Sequence, residues 1–423
     1  MSPLFQRSDR CRMCSDTRLD RVVSLPPTPL ANAFVAGDDV GEPQVTYPLD
    51  LHRCRGCGHV QLRDLVDPLA AFQRRRTASA EVAAVCQRVR TRAGDILTDI
   101  QPRRGSLVVV LGSNDGTVPA VFQEAELRVF GVEPAVDLAR AAIAAGVDTF
   151  PGFFSPAIAA RIEEESGRAA LVIAGNALVH ARDPQGFLEG VQLLLARDGV
   201  FAFEVPYLPD IAEHLLVDAI RHDVLDHYTL APLVNMLHAC DLEVISATAA
   251  PLGRLRGYAQ HLGGPRPHDG SVERLLEREA CGAPVLAGHI ETLAGRLQAL
   301  KKALADVLGE GRRNGRRFAG FGAPATATTL MYALGLDAEA LDFIVDDCAW
   351  KQGLRTPGLH VPILSPNALY SEKPDDVVLL SWDFADAIVE RHAAFCAGGG
   401  RFIVPLPELK IISGAVERSP SGQ

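Results

Sequence analysis

The 423-residue chain lacks the features that mark membrane, secreted and nucleic-acid-binding proteins. It has no run of about 20 uninterrupted apolar residues, so we expect no transmembrane helix. The segment Met1–Arg7 has no apolar core of signal-peptide length, so we expect a cytoplasmic protein. Acidic residues (52) outnumber lysine and arginine (42), and the net charge of −10 argues against a nucleic-acid partner, despite the short basic cluster at 74–76.

Two phosphate-binding motifs, GxGxxG and GxxxxGK[ST], are also missing, which argues against a dinucleotide or a nucleoside triphosphate. Instead, the Gly-rich segment Gly112–Gly116 directly follows the apolar run Leu107–Leu111, and a second apolar run ends at Glu133. In an α/β sheet, such glycines let the backbone approach a ligand, and such an acid accepts hydrogen bonds from ribose hydroxyls. The pattern favours S-adenosylmethionine as cofactor; the alternative is an ordinary turn followed by an incidental glutamate.

Cysteine usage points to a metal. Five of the nine cysteines are scattered among apolar neighbours, as in buried thiols of a reducing compartment. The other four form two CxxC pairs, Cys11 with Cys14 and Cys54 with Cys57. Two such turns present four thiolates to one tetrahedral ion, which predicts a structural zinc. The alternatives are redox or incidental pairs, or a ligand supplied by a histidine that flanks the second pair (His52 or His59).

The remaining chain alternates apolar strand-like and helix-like segments. From 107 to 205 the alternation is typical of a doubly wound parallel sheet, and a second such pattern runs from 317 to 405. Between them, 272–309 is predicted to be helical with a break near Pro284. The last residues, 419–423, resemble a loose tail. The predicted domains are a zinc module (1–67), an S-adenosylmethionine domain (68–270), a helical linker (271–314) and a C-terminal domain (315–415).

The sequence therefore predicts an α/β protein: a small zinc module, a Rossmann-like cofactor domain and a second open α/β sheet domain. In that order of parts, nearly the whole chain resembles the three-domain deoxysugar C-methyltransferases of actinomycete natural-product pathways. Besides the four paired cysteines, the motifs that carry the resemblance are Gly112–Thr117, Gly131–Ala135, Asn176–His180, Phe203–Tyr207, Gly320–Ala325, Lys351–Gly353 and Pro357–Pro362.

The resemblance implies that the protein methylates C3 of a nucleotide-linked 4-keto-6-deoxysugar, enclosed in part by the C-terminal domain. A base would remove a proton next to the ketone, and the resulting enolate would attack the sulfonium methyl group. A cytoplasmic monomer or homodimer acting on a small molecule is expected. The candidate cofactor-binding residues are Gly112, Ser113, Asn114, Asp115, Gly116, Glu133, Pro134 and Asn176.

The chain departs from the family pattern around the expected pocket. The family's Tyr-His-Glu-His stretch reads Arg221-His222-Asp223-Val224 here, and Val224, in place of the presumed base, cannot take a proton. The segment 73–79 lacks the family's tyrosine, and Val110 stands where the family has a glutamate. These departures indicate changed chemistry in the pocket.

Two functions follow. In the first, the protein is an S-adenosylmethionine-dependent C-methyltransferase in which His180 or His222 is the base, Asp223 orients it, and Arg221 stabilises the enolate or binds phosphate. In the second, a methyltransferase-like protein binds the cofactor but catalyses a cyclisation, elimination or rearrangement, or serves as an auxiliary subunit. A bound sulfonium could then stabilise an anionic transition state as a fixed positive charge.

Overall fold

The computed structural model describes residues 5–37, 43–72 and 76–414. Most of the basic cluster at 74–76 and the predicted tail at 419–423 lie outside the described residues. The chain divides into two compact units. The first unit comprises 1–24, 50–213 and 222–291, and the second comprises 25–49, 214–221 and 292–423. These units do not follow the four predicted domains, which remain a prediction.

The strands of the described residues are, in chain order, β1 (Phe5–Arg7), β2 (Leu19–Thr28), β3 (Tyr47–Cys54), β4 (Val60–Leu62), β5 (Asp64–Val66), β6 (Leu107–Leu111), β7 (Arg128–Val132), β8 (Asp148–Phe150), β9 (Ala169–Gly175), β10 (Leu195–Pro206), β11 (Asp226–His227), β12 (Leu242–Ala250), β13 (Arg254–His261), β14 (Phe318–Phe321), β15 (Phe343–Val345), β16 (Ile363–Leu364), β17 (Asp376–Leu379), β18 (Arg401–Val404) and β19 (Lys410–Ser413).

The α-helices of the same residues are α1 (Pro68–Phe72), α2 (Ala83–Ile100), α3 (Thr117–Glu124), α4 (Val136–Ala144), α5 (Pro156–Ser166), α6 (Pro184–Leu194), α7 (Leu208–Glu213), α8 (Leu230–Ala239), α9 (Ser271–Arg313), α10 (Ala325–Leu334), α11 (Ala368–Ser371), α12 (Ala385–Arg391) and α13 (Ala393–Ala397). Within these residues, no helix is both long and apolar enough to cross a membrane.

The first unit is built on a seven-stranded sheet of order β12-β13-β10-β9-β6-β7-β8. The strands of the predicted parallel sheet (107–205) do run parallel to their neighbours, whereas β13, which lies outside that span, runs antiparallel to both β10 and β12. Only a few residues separate β12 from β13, and so short a connection can join antiparallel neighbours but not parallel ones.

Apolar layers cover both faces of this sheet, as its sequence pattern requires. Successive side chains of β6 point to opposite faces. Val109 and Leu111 belong to one buried cluster, and Val108 and Val110 belong to another. Val110, at the position where the family has a glutamate, is therefore a core residue that is only 3% exposed.

Two smaller sheets accompany the paired cysteines. One has the order β11-β4-β3-β2, and the other pairs β1 with β5. In the first of these, β11 runs antiparallel to β4, so that Asp226 lies opposite Gln61. This pairing joins residues that are far apart in the sequence, next to the second CxxC turn.

The second unit contains a six-stranded sheet of order β16-β15-β14-β17-β18-β19, in which β19 alone is antiparallel to its neighbour. The predicted break near Pro284 is wrong, since α9 is continuous from Ser271 to Arg313. A proline removes the hydrogen bond to the carbonyl four residues earlier, here that of Ala280. Ala280 and Pro284 are both exposed, so water can satisfy that carbonyl.

Candidate functional site

The four paired cysteines converge on one point. Their Sγ atoms all lie within 4.8 Å of one another, with 3.6 Å between Cys11 and Cys57 and between Cys14 and Cys54. Four sulfurs at about 2.3 Å from a tetrahedral zinc would be separated by roughly 3.8 Å. Disulfides would place the sulfurs at about 2.05 Å. The donor set therefore fits a closed, structural zinc site.

The backbone around these thiols has the geometry of metal-binding turns. In each turn a main-chain N–H donates to the first sulfur, from Met13 to Cys11 (3.4 Å) and from Gly56 to Cys54 (3.3 Å). His59, one of the alternative ligands, instead places Nε2 2.9 Å from Asp226. Among the described residues, the metal-binding group consists of the four cysteines.

The Gly-rich segment and the acid after β7 are joined by a hydrogen bond. Gly112 has a left-handed backbone (φ 74°), and a Cβ there would meet only Ala177, at 3.6 Å. The Glu133 carboxylate accepts hydrogen bonds from the backbone N–H groups of Asn114 and Ala135, each at 2.8 Å. An ionised carboxylate has about four acceptor positions, so capacity remains for ribose hydroxyls. The loop thus fits the nucleoside end of S-adenosylmethionine.

Two predicted cofactor residues use their side chains to order the segment before α2. Asn114 Oδ1 accepts from the backbone N–H of Ser79 (2.9 Å), and Asp115 Oδ2 accepts from that of Ala80 (2.8 Å). The other Asp115 oxygen accepts from the Thr117 hydroxyl (2.7 Å). These side chains hold the wall of the loop rather than projecting freely from it.

The other predicted cofactor residues are distributed around the same loop. Gly116, which directly precedes α3, has a φ of 90°, and a Cβ there would press on Val147 at 3.2 Å. Ser113 is buried, whereas Pro134 is partly exposed beside Glu133. Asn176 follows β9 in the left-handed region (φ 70°), one strand over in the sheet. These positions lie at the carboxyl ends of three adjacent strands, where α/β sheets bind ligands.

His180 ends the short 3-10 turn Leu178–His180 after β9 and is 9% exposed. Its Nδ1 makes a hydrogen bond to the main-chain carbonyl of Asp223. A carbonyl oxygen only accepts, so Nδ1 carries the proton and Nε2 has the lone pair in the neutral ring. The Phe72 ring packs edge-on against the imidazole, with 5.2 Å between ring centroids. The neutral His180 ring is thus held as the Nδ1–H tautomer.

The segment 221–224, which differs from the family pattern, contacts His180 through its backbone. Asp223 is predicted to orient the base, and its main-chain carbonyl is a closer partner of His180 Nδ1 than its Oδ2, which lies 4.0 Å away. Val224 is 4% exposed and belongs to the core of the first unit. His222, also in this unit, is 4% exposed. Arg221 belongs to the second unit.

Sequence reasoning missed three residues around His180: Phe72, Arg12 and Asp226. Phe72 contacts the imidazole directly, and Arg12 and Asp226 form an ion pair at 2.9 Å. Since 214 positions separate the members of that pair, no local pattern signals it.

The fold and these sites define the class as a zinc-bearing protein with a Rossmann-like methyltransferase domain. Residues 11–72 match the family described as "Putative zinc binding domain", and residues 252–407 match the family described as "C-methyltransferase C-terminal domain". The chain is 31% identical over 416 residues to C-methyltransferase NovU of Streptomyces niveus, covering 98% of this chain and 99% of that protein. The chain belongs to this C-methyltransferase family, which confirms the resemblance stated above.

Solved methyltransferases resemble part of the chain. CcbJ methyltransferase of Streptomyces caelestis is 16% identical, with 41% of this chain and 89% of that chain covered and a TM-score of 0.33. The 1,6-didemethyltoxoflavin-N1-methyltransferase of Burkholderia thailandensis is 18% identical, with 49% and 98% covered and a TM-score of 0.31. At such scores the assignment rests on the full-length relative and the family matches. The protein is an S-adenosylmethionine-dependent C-methyltransferase of natural-product biosynthesis with a zinc-binding module.

Proposed function

We propose that this methyltransferase acts on a nucleotide-linked keto-deoxysugar through an enolate, with His180 as the base. The observation that carries the assignment is the hydrogen bond from His180 Nδ1 to the Asp223 carbonyl. With the proton on Nδ1, Nε2 is the basic nitrogen of the neutral ring, and histidine has a pKa suited to a base at neutral pH. The full-length likeness to a C-methyltransferase supports a carbon nucleophile.

In the proposed reaction, Nε2 takes the proton from the carbon next to the ketone, and the electron pair of that C–H bond moves toward the carbonyl oxygen. The enolate carbon would then form a C–C bond to the methyl group that S-adenosylmethionine would supply, and S-adenosylhomocysteine would leave with the electron pair of the broken S–C bond. Glu133 and the Gly112–Gly116 backbone hold the nucleoside end, together with Pro134 and Asn176. His180 then releases its proton to solvent.

Further assignments belong to this proposal. Arg221 stabilises the enolate oxygen or binds a phosphate of the acceptor, because a fixed cation suits either charge. His222 is the second candidate for the base. The nine cysteines, all outside disulfides, support a reducing cytoplasmic setting. We infer a monomer or homodimer without a nucleic-acid partner, in keeping with the net charge of −10.

Deuterium exchange tests the base. The protein is incubated in deuterated water with S-adenosylhomocysteine and a set of nucleotide-linked 4-keto-6-deoxysugars, and loss of the proton next to the ketone is followed by NMR. Wild-type protein should exchange that proton with at least one acceptor. His180→Gln should lower the rate by about 100-fold or more, the usual contribution of a general base.

His238→Gln is the matched control, since His238 is an exposed histidine of the same unit and should exchange as wild type does. Normal exchange in His180→Gln with loss in His222→Gln would transfer the assignment to His222. If wild type exchanges none of the acceptors while Val224→His does, the proposed reaction is wrong and the non-methylating alternative is favoured.

A further inference from the structure

The two CxxC turns have the same second residue but use it differently. Arg12 and Arg55 each follow the first cysteine of their turn. The side chain of Arg55 is 63% exposed and pairs with Asp20 at the surface. The side chain of Arg12 is only 5% exposed. A buried guanidinium must have partners for its N–H groups, so its surroundings show what it does.

The partners of Arg12 lie on the two segments that hold the proposed base. One terminal nitrogen donates to the carbonyl of Ala181 (2.5 Å) and the other to that of Arg182 (3.1 Å), the two residues that follow His180. The Nε and a terminal nitrogen donate to the two oxygens of Asp226, at 2.9 and 3.2 Å. The guanidinium therefore spans both segments.

Asp226 lies three residues after Asp223, whose carbonyl accepts the hydrogen bond from His180 Nδ1. The Leu225 N–H also donates to the Val179 carbonyl (2.9 Å), so the two segments are paired directly beside the imidazole. A movement of either segment would change the orientation of the His180 ring. Arg12 ties the segments together from the side of the metal site.

The second CxxC turn reaches the same carboxylate. His59 follows that turn, and its Nε2 lies 2.9 Å from Asp226 Oδ1. The His59 carbonyl also accepts from the Cys54 N–H at 2.8 Å. Each metal-binding turn thus contributes one partner to Asp226, and one ion bound by both turns would fix both partners together.

We propose that Arg12 is a positioning residue for His180, and that the metal site serves the reaction by holding Arg12 in place. The inference rests on the proposed function, because it takes His180 as the base. The zinc module then helps to set the tautomer and the orientation of His180, which lies outside the module.

The test uses the zinc-bound full chain and the matched variants Arg12→Lys and Arg55→Lys. Lysine keeps the charge beside Asp226 but lacks the planar fork that spans two carbonyls and a carboxylate. The ring nitrogens of ¹⁵N-labelled histidines are followed by NMR, with the His180 signals assigned by their loss in His180→Gln. Arg12→Lys should shift the His180 signals away from the pure Nδ1–H tautomer, and Arg55→Lys should leave them unchanged.

Kinetics provides the second measurement. Arg12→Lys should lower kcat for methyl transfer by about tenfold or more, the range for supporting residues around a site, with KM for both substrates within about twofold. Zinc content and binding of S-adenosylhomocysteine should equal those of wild type. As a second variant without an unpaired buried charge, Arg12→Met with Asp226→Asn should show the same shift and loss.

The inference would be overturned if the His180 signals of Arg12→Lys were the same as those of wild type, or if that variant lost its zinc. It would also be overturned if kcat fell equally in Arg12→Lys and Arg55→Lys. The NMR readout needs no acceptor, so it is separate from the test of the proposed function. Shifted signals in Arg12→Lys with normal exchange in His180→Gln would support the positioning by Arg12 while rejecting His180 as the base.

Discussion

Each of the two large sheets of this protein contains a turn whose backbone N–H group donates to an acidic residue after the neighbouring strand. In the first unit, Glu133 follows β7 and accepts from the N–H groups of Asn114 and Ala135. In the second unit, Asp346 follows β15 and accepts from those of Ala323 (2.6 Å) and Cys348 (2.8 Å). In both, one donor lies in the loop after the neighbouring strand and the other lies two residues beyond the acid.

The difference is a cation. Lys351 Nζ lies 3.2 and 3.3 Å from the two Asp346 oxygens and also donates to the Ala323 carbonyl (3.0 Å). The lysine is 3% exposed and flanked by the rings of Phe34 and Trp350, each 5.9 Å from Nζ. In the part of the chain that the structure describes, Glu133 has only backbone partners.

A Gly-rich turn and an acid after the next strand therefore do not by themselves define a ribose site. The acid must keep acceptor capacity that the protein leaves unused. Glu133 keeps it, whereas Lys351 occupies the corresponding capacity of Asp346. We therefore expect the first turn to serve binding and the second to serve stability.

The largest effect should come from removing the cation. Lys351→Met would leave Asp346 buried and unpaired, which should lower the free energy of unfolding of the second unit by about 3–5 kcal/mol. Both tryptophans (Trp350 and Trp382) belong to this unit, so urea denaturation followed by tryptophan fluorescence reports on it. The exposed Lys302→Met is the control and should change little. Unaltered stability of Lys351→Met would contradict a structural assignment for the second turn.

A third buried acid, Asp218, differs from both Glu133 and Asp346 in its hydrogen-bond donor, which is a tryptophan side chain. Asp218 accepts from Trp382 Nε1 (2.9 Å), and burial together with nearby Asp383 raises its pKa to about 6. The folded state therefore keeps a proton that the unfolded state, with a pKa near 3.9, releases. This group's contribution to stability is present below about pH 4 and is lost as the pH rises to 6.

Asp218→Asn should accordingly make the second unit more stable than wild type at pH 7.5, by on the order of 2–3 kcal/mol. The gain should shrink toward pH 4, where wild-type Asp218 is protonated. The same fluorescence measurement across pH gives the difference between variant and wild type, with the exposed Asp306→Asn as control. A gain that does not depend on pH would show that Asp218 is not protonated in the folded state.

The smallest of these effects concerns the binding turn. Glu133→Ala should weaken the binding of S-adenosylhomocysteine by about 1–3 kcal/mol, or roughly 5- to 150-fold in Kd, because the ribose hydroxyls would lose their acceptor. Glu124→Ala, a change at an exposed glutamate of α3, should leave Kd unchanged in titration calorimetry. Equal affinity of Glu133→Ala and wild type would remove the distinction between the two turns.

Much of the fold was predictable because strong local patterns coincide with its elements. The apolar run Leu107–Leu111 has the bounds of β6, and the predicted helical segment 272–309 lies within α9. The continuity of α9 through Pro284 was not predictable, since it depends on exposure of the freed carbonyl to solvent rather than on the local sequence.

The sequence by itself determined the metal site and the family and predicted the cofactor turn, because short motifs carry each of them. Four cysteines in two turns and a glycine segment followed by Glu133 require only local geometry to be recognised. Only the tertiary structure decided that Lys351 neutralises Asp346, that the Asp223 carbonyl sets the tautomer of His180, and that Arg12 reaches Asp226. Those interactions join separate parts of the chain, and their strength depends on burial, which exists only once the chain has folded.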